Sequence, residues 1–501
     1  MSKEDIINYV MTTPGNPNKA VLSGMLDSIA DAGGGGSESK SLSDVNFIDY
    51  DGKVVESYTK DEFLIMSAMP SSPSHDGLVA QGWNWSLEGA KTYVAKYDRL
   101  NIGQMYATAS GDTEIDIQLG IGRNKPYLGC CPDGTVEIDW GDGSAHDTLT
   151  GTSTSELKSI QHTYPDTGEM FTIRLHMESG SLGFIGTDSS STCSQVLYNG
   201  TTGQINGQRA YQNAVKAIRL GSNVTSIGSS AFDYCTSLAS VTIPNSVTSI
   251  GLQAFYICTS LTSMTIPDGV TNISNSAFSS CYSLTSVTIP EGVTNIGTYA
   301  FEHCYSLTSM TIPDGVTSIS NNTFNDCYSL TSVTIPDSVT SIGTYAFGSC
   351  TSLASITIPE GVTSIDSYTF NNCYSLVSVI IPDGVTGIGA NAFNYCYSLT
   401  SVTIPDSVTS ISNNAFDRCH SLTSVIIPDG VTSIRNSAFN SCRSIASLTF
   451  KPTTPPTVSN TNAFNDLPSD LVVYIPAGTL ATYQAATNYT KIKNYMVEMS
   501  A

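Results

Sequence analysis

The stretch "SLTSVTIPDSVTSIGTYAFGSC", Ser329 to Cys350, is one copy of a sentence the chain repeats. Cysteine stands at 235, 258, 281, 304, 327, 350, 373, 396, 419 and 442, always 23 residues on, and phenylalanine keeps the same step from Phe232 to Phe439. A fixed period of this length marks a stacked array of identical units. Within the unit Leu330, Val333 and Ile335 alternate inward along a strand, and Ser332 and Thr334 point out. Pro336 and Asp337 turn the chain, Val339 and Ile342 carry the return segment, and Ala346, Phe347 and Cys350 close the core. A single copy leaves its apolar flanks open, so stacking is what buries them. With strands about 4.8 Å apart, ten turns make a stack roughly 50 Å long.

Working outward, the period predicts a solenoid over 214–450, followed by a capping unit over 451–501 in which Pro452 falls one residue late and Phe464 two. The predicted fold class is mainly β and multidomain: the solenoid, preceded by an immunoglobulin-like sandwich and a small α+β domain. Residues 1–32 read as a helical docking segment, since Val21, Leu22, Met25, Leu26 and Ile29 form one apolar stripe that so short a helix pair cannot bury alone. A Gly/Ser linker fills 33–39. In the α+β domain, 40–110, Asp51-Gly52 is placed for a type I′ hairpin turn, Thr59 and Glu62 form a capping box, Ser86 opens a second helix, and Trp83 and Trp85 are read as packing residues. Strand patterns fill 111–190, and 191–213 is a linker.

The 43 acidic residues against 21 basic ones give a net charge of −22. Nucleic acid and anionic membrane are therefore excluded as partners, since both require clustered Lys and Arg. The amino terminus shows no apolar segment of the signal-peptide kind, and no run of eighteen apolar residues occurs, so membrane insertion is not expected.

Two segments, "VEIDWGDGS" (136–144) and "QHTYPDTGEMFTIRL" (161–175), resemble the PKD type of immunoglobulin-like sandwich, which implies a spacer or binding module. Asp139, Asp142 and Asp147 invite a calcium reading there, against which Asp-Gly is the usual turn pair. The repeat itself, with its "IPDG" or "IPDS" turn, its Ala-Phe pair, its cysteine and the ending "LVVYIPAGTLATYQAATNY" (471–489), resembles the BspA-like leucine-rich-repeat family of bacterial and protist surface proteins. That resemblance implies adhesion to host proteins or other cells. The segments 9–29 and 80–106 are similar to parts of leucine-rich-repeat proteins from gut Firmicutes and their phages or prophages.

Three columns of the repeat could carry chemistry. The cysteines point in parallel, which suits buried thiols better than disulfides, and no histidines accompany them for a zinc site. The acidic ridge after each proline, Asp268, Glu291, Asp314, Asp337, Glu360, Asp383, Asp406 and Asp429, is a candidate for weak cation binding. It also suggests the paired carboxylates of a glycan depolymerase, though turn chemistry explains the same residues. After the cysteines, Tyr282, Tyr305, Tyr328, Tyr374 and Tyr397 form a candidate ligand-binding row, for which shielding of the solenoid flank is the alternative reading. The outward strand positions are almost all Ser and Thr, so unit-to-unit variation is expected to place specificity on the "GTYAFGS" edge. No nucleophile, metal or phosphate motif occurs, and no cofactor or metal is implied. The reading is a non-enzymatic attachment protein binding a host or cell-surface protein or glycan, assembled through residues 1–32, with homo-oligomers possible. The expected place of display is a phage or prophage virion, with a bacterial surface or secreted adhesin as the alternative and the depolymerase as a third reading.

Overall fold

The computed structural model describes residues 44–184, 196–198 and 209–500. The helical docking segment over 1–32, the Gly/Ser linker and most of the 191–213 linker, with Cys193, lie outside the described residues. The chain is mainly β, with 7% helix and a solenoid of about 12 turns. Among the described residues no helix is long and apolar enough to cross a membrane.

The α+β domain is a four-stranded sheet in the order β2-β1-β4-β3, from β1 (Val45–Ile48), β2 (Val54–Tyr58), β3 (Leu78–Trp83) and β4 (Leu100–Thr108). Two helices, α1 (Lys60–Leu64) and α2 (Leu87–Tyr97), complete it. The Thr59–Glu62 capping box starts α1, and Ser86 Oγ accepts the Gly89 amide at the start of α2. Phe47, Phe63, Trp83, Trp85 and Tyr93 are buried together, as an aromatic core should be. The β1–β2 hairpin differs from expectation. Gly52 donates its amide to Asp49 O at 3.0 Å and lies at φ 85°, while Asp51 does not share the left-handed region. A type I′ turn needs both central residues there, so the loop is instead a longer one closed by a single left-handed glycine.

Strands β5 (Thr113–Gln118), β6 (Tyr127–Asp139), β7 (Asp147–Thr152), β8 (Lys158–Gln161), β9 (Met170–Met177) and β10 (Ser181–Phe184) follow. The WGDG turn is held from within: Trp140 stacks on His162 at 4.4 Å and donates to Asp147, and Asp142 accepts from His162 at 2.9 Å. Asp139 accepts the Gly141 amide, so all three candidate calcium carboxylates serve the turn and its flanks. Among the described residues no group of three or more His, Cys, Asp or Glu could hold a metal ion. This sheet does not stop at the solenoid. Val215–Arg219 pairs antiparallel with β5 on one side and parallel with Ser240–Thr242, the first repeat strand, on the other. Arg219 clamps Asp116 through two bonds of 2.7 Å and reaches Glu114 at 2.9 Å. Burial pushes the Asp116 carboxyl up, but the bonds from Arg219 and Thr172 outweigh it and hold it below the usual range. One buried core then runs from Ile115 to Met496, so residues 113–184 close the open end of the stack.

Each turn is fastened to the next by three ladders. Phenylalanines stack from Phe232 to Phe439 at 5.2–5.7 Å. Threonine hydroxyls outside the core donate to the carbonyl one turn back at 2.9–3.4 Å. The cysteines are buried free thiols, and each Sγ from Cys258 to Cys442 donates to a phenylalanine carbonyl of the preceding turn at 3.1–3.3 Å. A small side chain with a weak donor is what that slot requires. Burial pushes these thiols up, Cys281 to about 12, so they stay protonated and can donate. Two residues per turn, such as Tyr345 and Ser349, sit at φ near 55°. That conformation costs roughly 1–2 kcal/mol for a non-glycine residue, and here it aims the amides of Tyr345 and Ser349 at Ser367 O and Asn371 O of the next turn. The last unit seals the far end: Tyr483 and Tyr489 are buried and donate to Pro452 O and Pro456 O.

Candidate binding surfaces

The outward face of the strand ladder is divided. From Ser240 to Thr334 it is packed under the α+β domain, with Ser263 and Thr288 only 4% and 2% exposed. From Ser355 to Ile426 its outward residues are open. The seat is made by polar tips reaching carbonyls at the strand ends. Asn84 donates to Ile266 O at 3.3 Å and Thr288 Oγ1 at 3.1 Å, Trp85 to Ile289 O at 2.9 Å, and Tyr93 to Ile312 O at 2.8 Å. Gly103 and Gly89 allow this approach. A Cβ on Gly103 would stand 2.1 Å from Thr288 Oγ1, and one on Gly89 would stand 1.7 Å from Glu291 Oε2.

The acidic ridge is divided at the same place. Gln81 holds Asn245, Glu291 lies against Gly89, the Asp337 amide donates to Tyr97 Oη at 2.8 Å, and the Asp337 carboxylate pairs with Lys96 at 3.1 Å. Asp268, between Asn245 and Glu291 on the ridge, is raised to about 6 by desolvation and by the Glu291 charge. Helix α2 runs along the ridge in register: Gly89, Tyr93 and Tyr97, four residues apart, meet Glu291, Ile312 and Asp337 on successive turns. A helical pitch of about 5.4 Å nearly matches the strand spacing of about 4.8 Å. All eight ridge carboxylates are exposed, and it is contact with the domain that ends at Asp337; Glu360, Asp383, Asp406 and Asp429 continue the ridge past it.

On the opposite, turn-rich edge the candidate tyrosines form two ladders. Tyr282, Tyr305 and Tyr328 stack at 4.7 and 4.8 Å; Tyr374, Tyr397 and His420 stack at 5.2 and 4.8 Å; Thr351 separates the two. Stacked rings cover one another's faces, so each tyrosine is only half-buried and presents its rim. Burial and the neighbouring Tyr282 raise the Tyr305 hydroxyl to about 12, which keeps it a donor. Beside the first ladder lies an open groove of about 360 Å³ lined by Tyr256, Ser279, Ser280, Tyr282, Tyr299, Glu302, His303 and Tyr305. It exists because the small pair Ser279-Ser280 falls between the larger Tyr256-Ile257 and Glu302-His303 of the adjacent turns. Burial raises the Glu302 carboxyl, and Asp326, 3.2 Å from His303 Nδ1, raises that imidazole.

Sequence reasoning passed over two exposed side chains. Ile380 is 68% and Ile426 49% exposed, in the outward column that Thr357, Thr403 and Thr449 otherwise occupy. Their signal was the break in the threonine column. They show that the hydroxyl floor carries apolar side chains once the domain ends.

The fold and its parallel strand ladder define a leucine-rich-repeat solenoid. The chain belongs to the BspA type leucine-rich-repeat family, whose model matches residues 204–330, 317–446 and 386–498. Among solved structures it is similar to a leucine-rich-repeat protein from Bacteroides ovatus, at 24% identity over 65% of this chain and 97% of that one, with a TM-score of 0.45. A leucine-rich cell surface protein from Faecalibacterium prausnitzii is 28% identical over 62% of this chain and 97% of that one, with a TM-score of 0.34. The pneumococcal vaccine antigen PcpA is 17% identical over 63% of this chain and 83% of its own, with a TM-score of 0.40. None of the curated proteins matches this chain.

Proposed function

We propose that this chain is a non-enzymatic attachment protein whose solenoid binds a protein or glycan on another cell through its turn edge. The observation that carries the reading is the groove beside Tyr282 and Tyr305, where aromatic rims, hydroxyls, one carboxylate and one imidazole converge on a concavity of about 360 Å³. A few oriented polar groups on an aromatic wall are what recognition sites are made of. The ridge carboxylates favour the depolymerase reading less, because Glu291 lies against Gly89 of the chain's own docked domain and the Asp337 carboxylate pairs with its Lys96.

The display site proposed is the exterior of a phage or prophage virion, with a bacterial envelope as the alternative; the resemblance of 9–29 and 80–106 to leucine-rich-repeat proteins of gut Firmicutes and of their phages or prophages is compatible with either. Residues 1–32 are proposed to join the chain to its assembly partner through the apolar stripe. Mass spectrometry of purified particles and washed envelopes separates the two locations. Attachment itself is tested with Tyr305→Ser and Tyr328→Ser in the full chain, assayed on intact target cells. Attachment is expected to fall by about tenfold, the loss typical of an aromatic contact at the centre of an interface, with an unchanged melt; undiminished attachment defeats the proposal.

A further inference from the structure

The two halves of the strand face are one surface, and the structure shows the occupant of the first half. Up to Thr334 the occupant is the chain's own α+β domain, and its mode of seating is explicit. Helix α2 lies along the acidic ridge, one helical turn per solenoid turn, and Lys96 at its end meets Asp337. Past Asp337 the ridge continues unchanged in chemistry through Glu360, Asp383, Asp406 and Asp429, all exposed. The adjoining face is what changes: the outward column turns from threonine to isoleucine at 380 and 426, and these side chains lie open at 68% and 49%.

We infer that the strand face from Ser355 to Thr449 is a second docking surface, built to seat a basic amphipathic helix of a partner protein along the ridge, as α2 is seated on the first half. Ile380 and Ile426 are two turns apart, roughly 9.6 Å from the strand spacing, close to the rise of about 10.5 Å between residues seven apart on a helix. Apolar side chains at that interval on the partner cover the two isoleucines. Lysines or arginines on the neighbouring stripe face the four carboxylates, as Lys96 faces Asp337. The charge of the chain favours such a partner, because a net −22 steers basic surfaces toward it. The surface is separate from the tyrosine edge, so it goes beyond the attachment site proposed above and stands or falls without it.

The test uses the full chain and a fluorescent amphipathic peptide probe, with leucine at positions seven apart and lysine at four-residue spacing, at physiological salt. Ile380→Thr with Ile426→Thr restores the residue this column carries elsewhere, so the fold has a built-in precedent for the change. Binding is expected to weaken about tenfold through lost apolar contact, while the melt stays level and Tyr305→Ser leaves peptide affinity unchanged. A separate Asp383→Asn, Asp406→Asn chain should lose affinity and part of the salt dependence. Peptide affinity that is indifferent to the double threonine variant overturns the inference. So does concentration-dependent self-association abolished by that variant, which would make the occupant a second copy, or glycan binding abolished by it, which would make the occupant a sugar.

Discussion

The covered and the bare halves of the solenoid share a core and differ in their outward residues and in what lies on top. In both, phenylalanines stack at the same spacing and cysteine thiols bond the same carbonyls of the turn before. On the covered half the outward column is threonine at 242, 265, 288, 311 and 334; on the bare half isoleucine enters. Small polar side chains let the domain approach closely enough for Trp85 and Tyr93 to reach strand-end carbonyls. Repetition therefore builds the scaffold, and departures from it distinguish the surfaces.

The comparison is broken most severely from inside. Phe301→Ala and Phe393→Ala delete equivalent rings from the ladder, and each should cost about 3–5 kcal/mol. Their consequences should separate. By native-state hydrogen exchange, Phe393→Ala should open the turns beyond Ser355 while the covered turns stay protected, since stability in a stack is local and passes between neighbours. In the Phe301 variant the docked domain bridges the weakened turn, so exchange there should rise less. Equal loss of protection in the two variants would mean that the domain adds nothing to the turns it covers.

A milder test leaves the ladders intact. Gly103→Val places a Cβ where Thr288 Oγ1 stands 2.1 Å away, and crowding of this kind costs roughly 1–3 kcal/mol. The domain should lift: Trp85 fluorescence should shift to the red, and proteolysis should rise between Thr108 and Thr113. Gly387→Ala is the control on the bare half, where the nearest atom to a new Cβ is Ser410 Oγ at 3.9 Å. A Trp85 spectrum unmoved by Gly103→Val would mean that the seat does not depend on close approach.

These glycines also show what the sequence exposed and what it concealed. The solenoid was legible because stacking forces every unit to repeat the same inward residues, so Leu330, Val333, Phe347 and Cys350 recur visibly. The caps at Thr59 and Ser86 were legible because a cap is local. The docking was not, since Asn84 and Thr288 are 204 residues apart and polar contacts leave no periodic trace. Its faint signal was glycine inside regular elements, Gly89 in α2 and Gly103 in β4, where close approach of another surface is the usual reason. The tyrosine row was found by its column, but the groove beside it comes from Ser279 and Ser280 being small, which only the three-dimensional neighbours reveal.

The smallest expected effect sharpens the boundary by pH. Asp268 is raised to about 6 by desolvation, with Glu291 adding to the shift, against an ordinary value of 3.8. A carboxyl raised in the folded state favours folding while it is protonated, so its contribution is fully present below about pH 3.8 and is lost as pH rises through 6. Seating of the domain should therefore loosen modestly between pH 4 and 7, read as faster amide exchange in β4 once the intrinsic pH dependence of exchange is divided out. Asp268→Asn carries no charge to desolvate, so its seating should be tighter at pH 7 and flatter across that range. The matching change at Asp406 on the bare half has no domain beside it and should leave β4 exchange as it was. If Asp268→Asn and Asp406→Asn behave alike, the ridge does not sense the domain, and the division of the solenoid into a covered and a bare half would rest on the glycines and the strand-end hydrogen bonds alone.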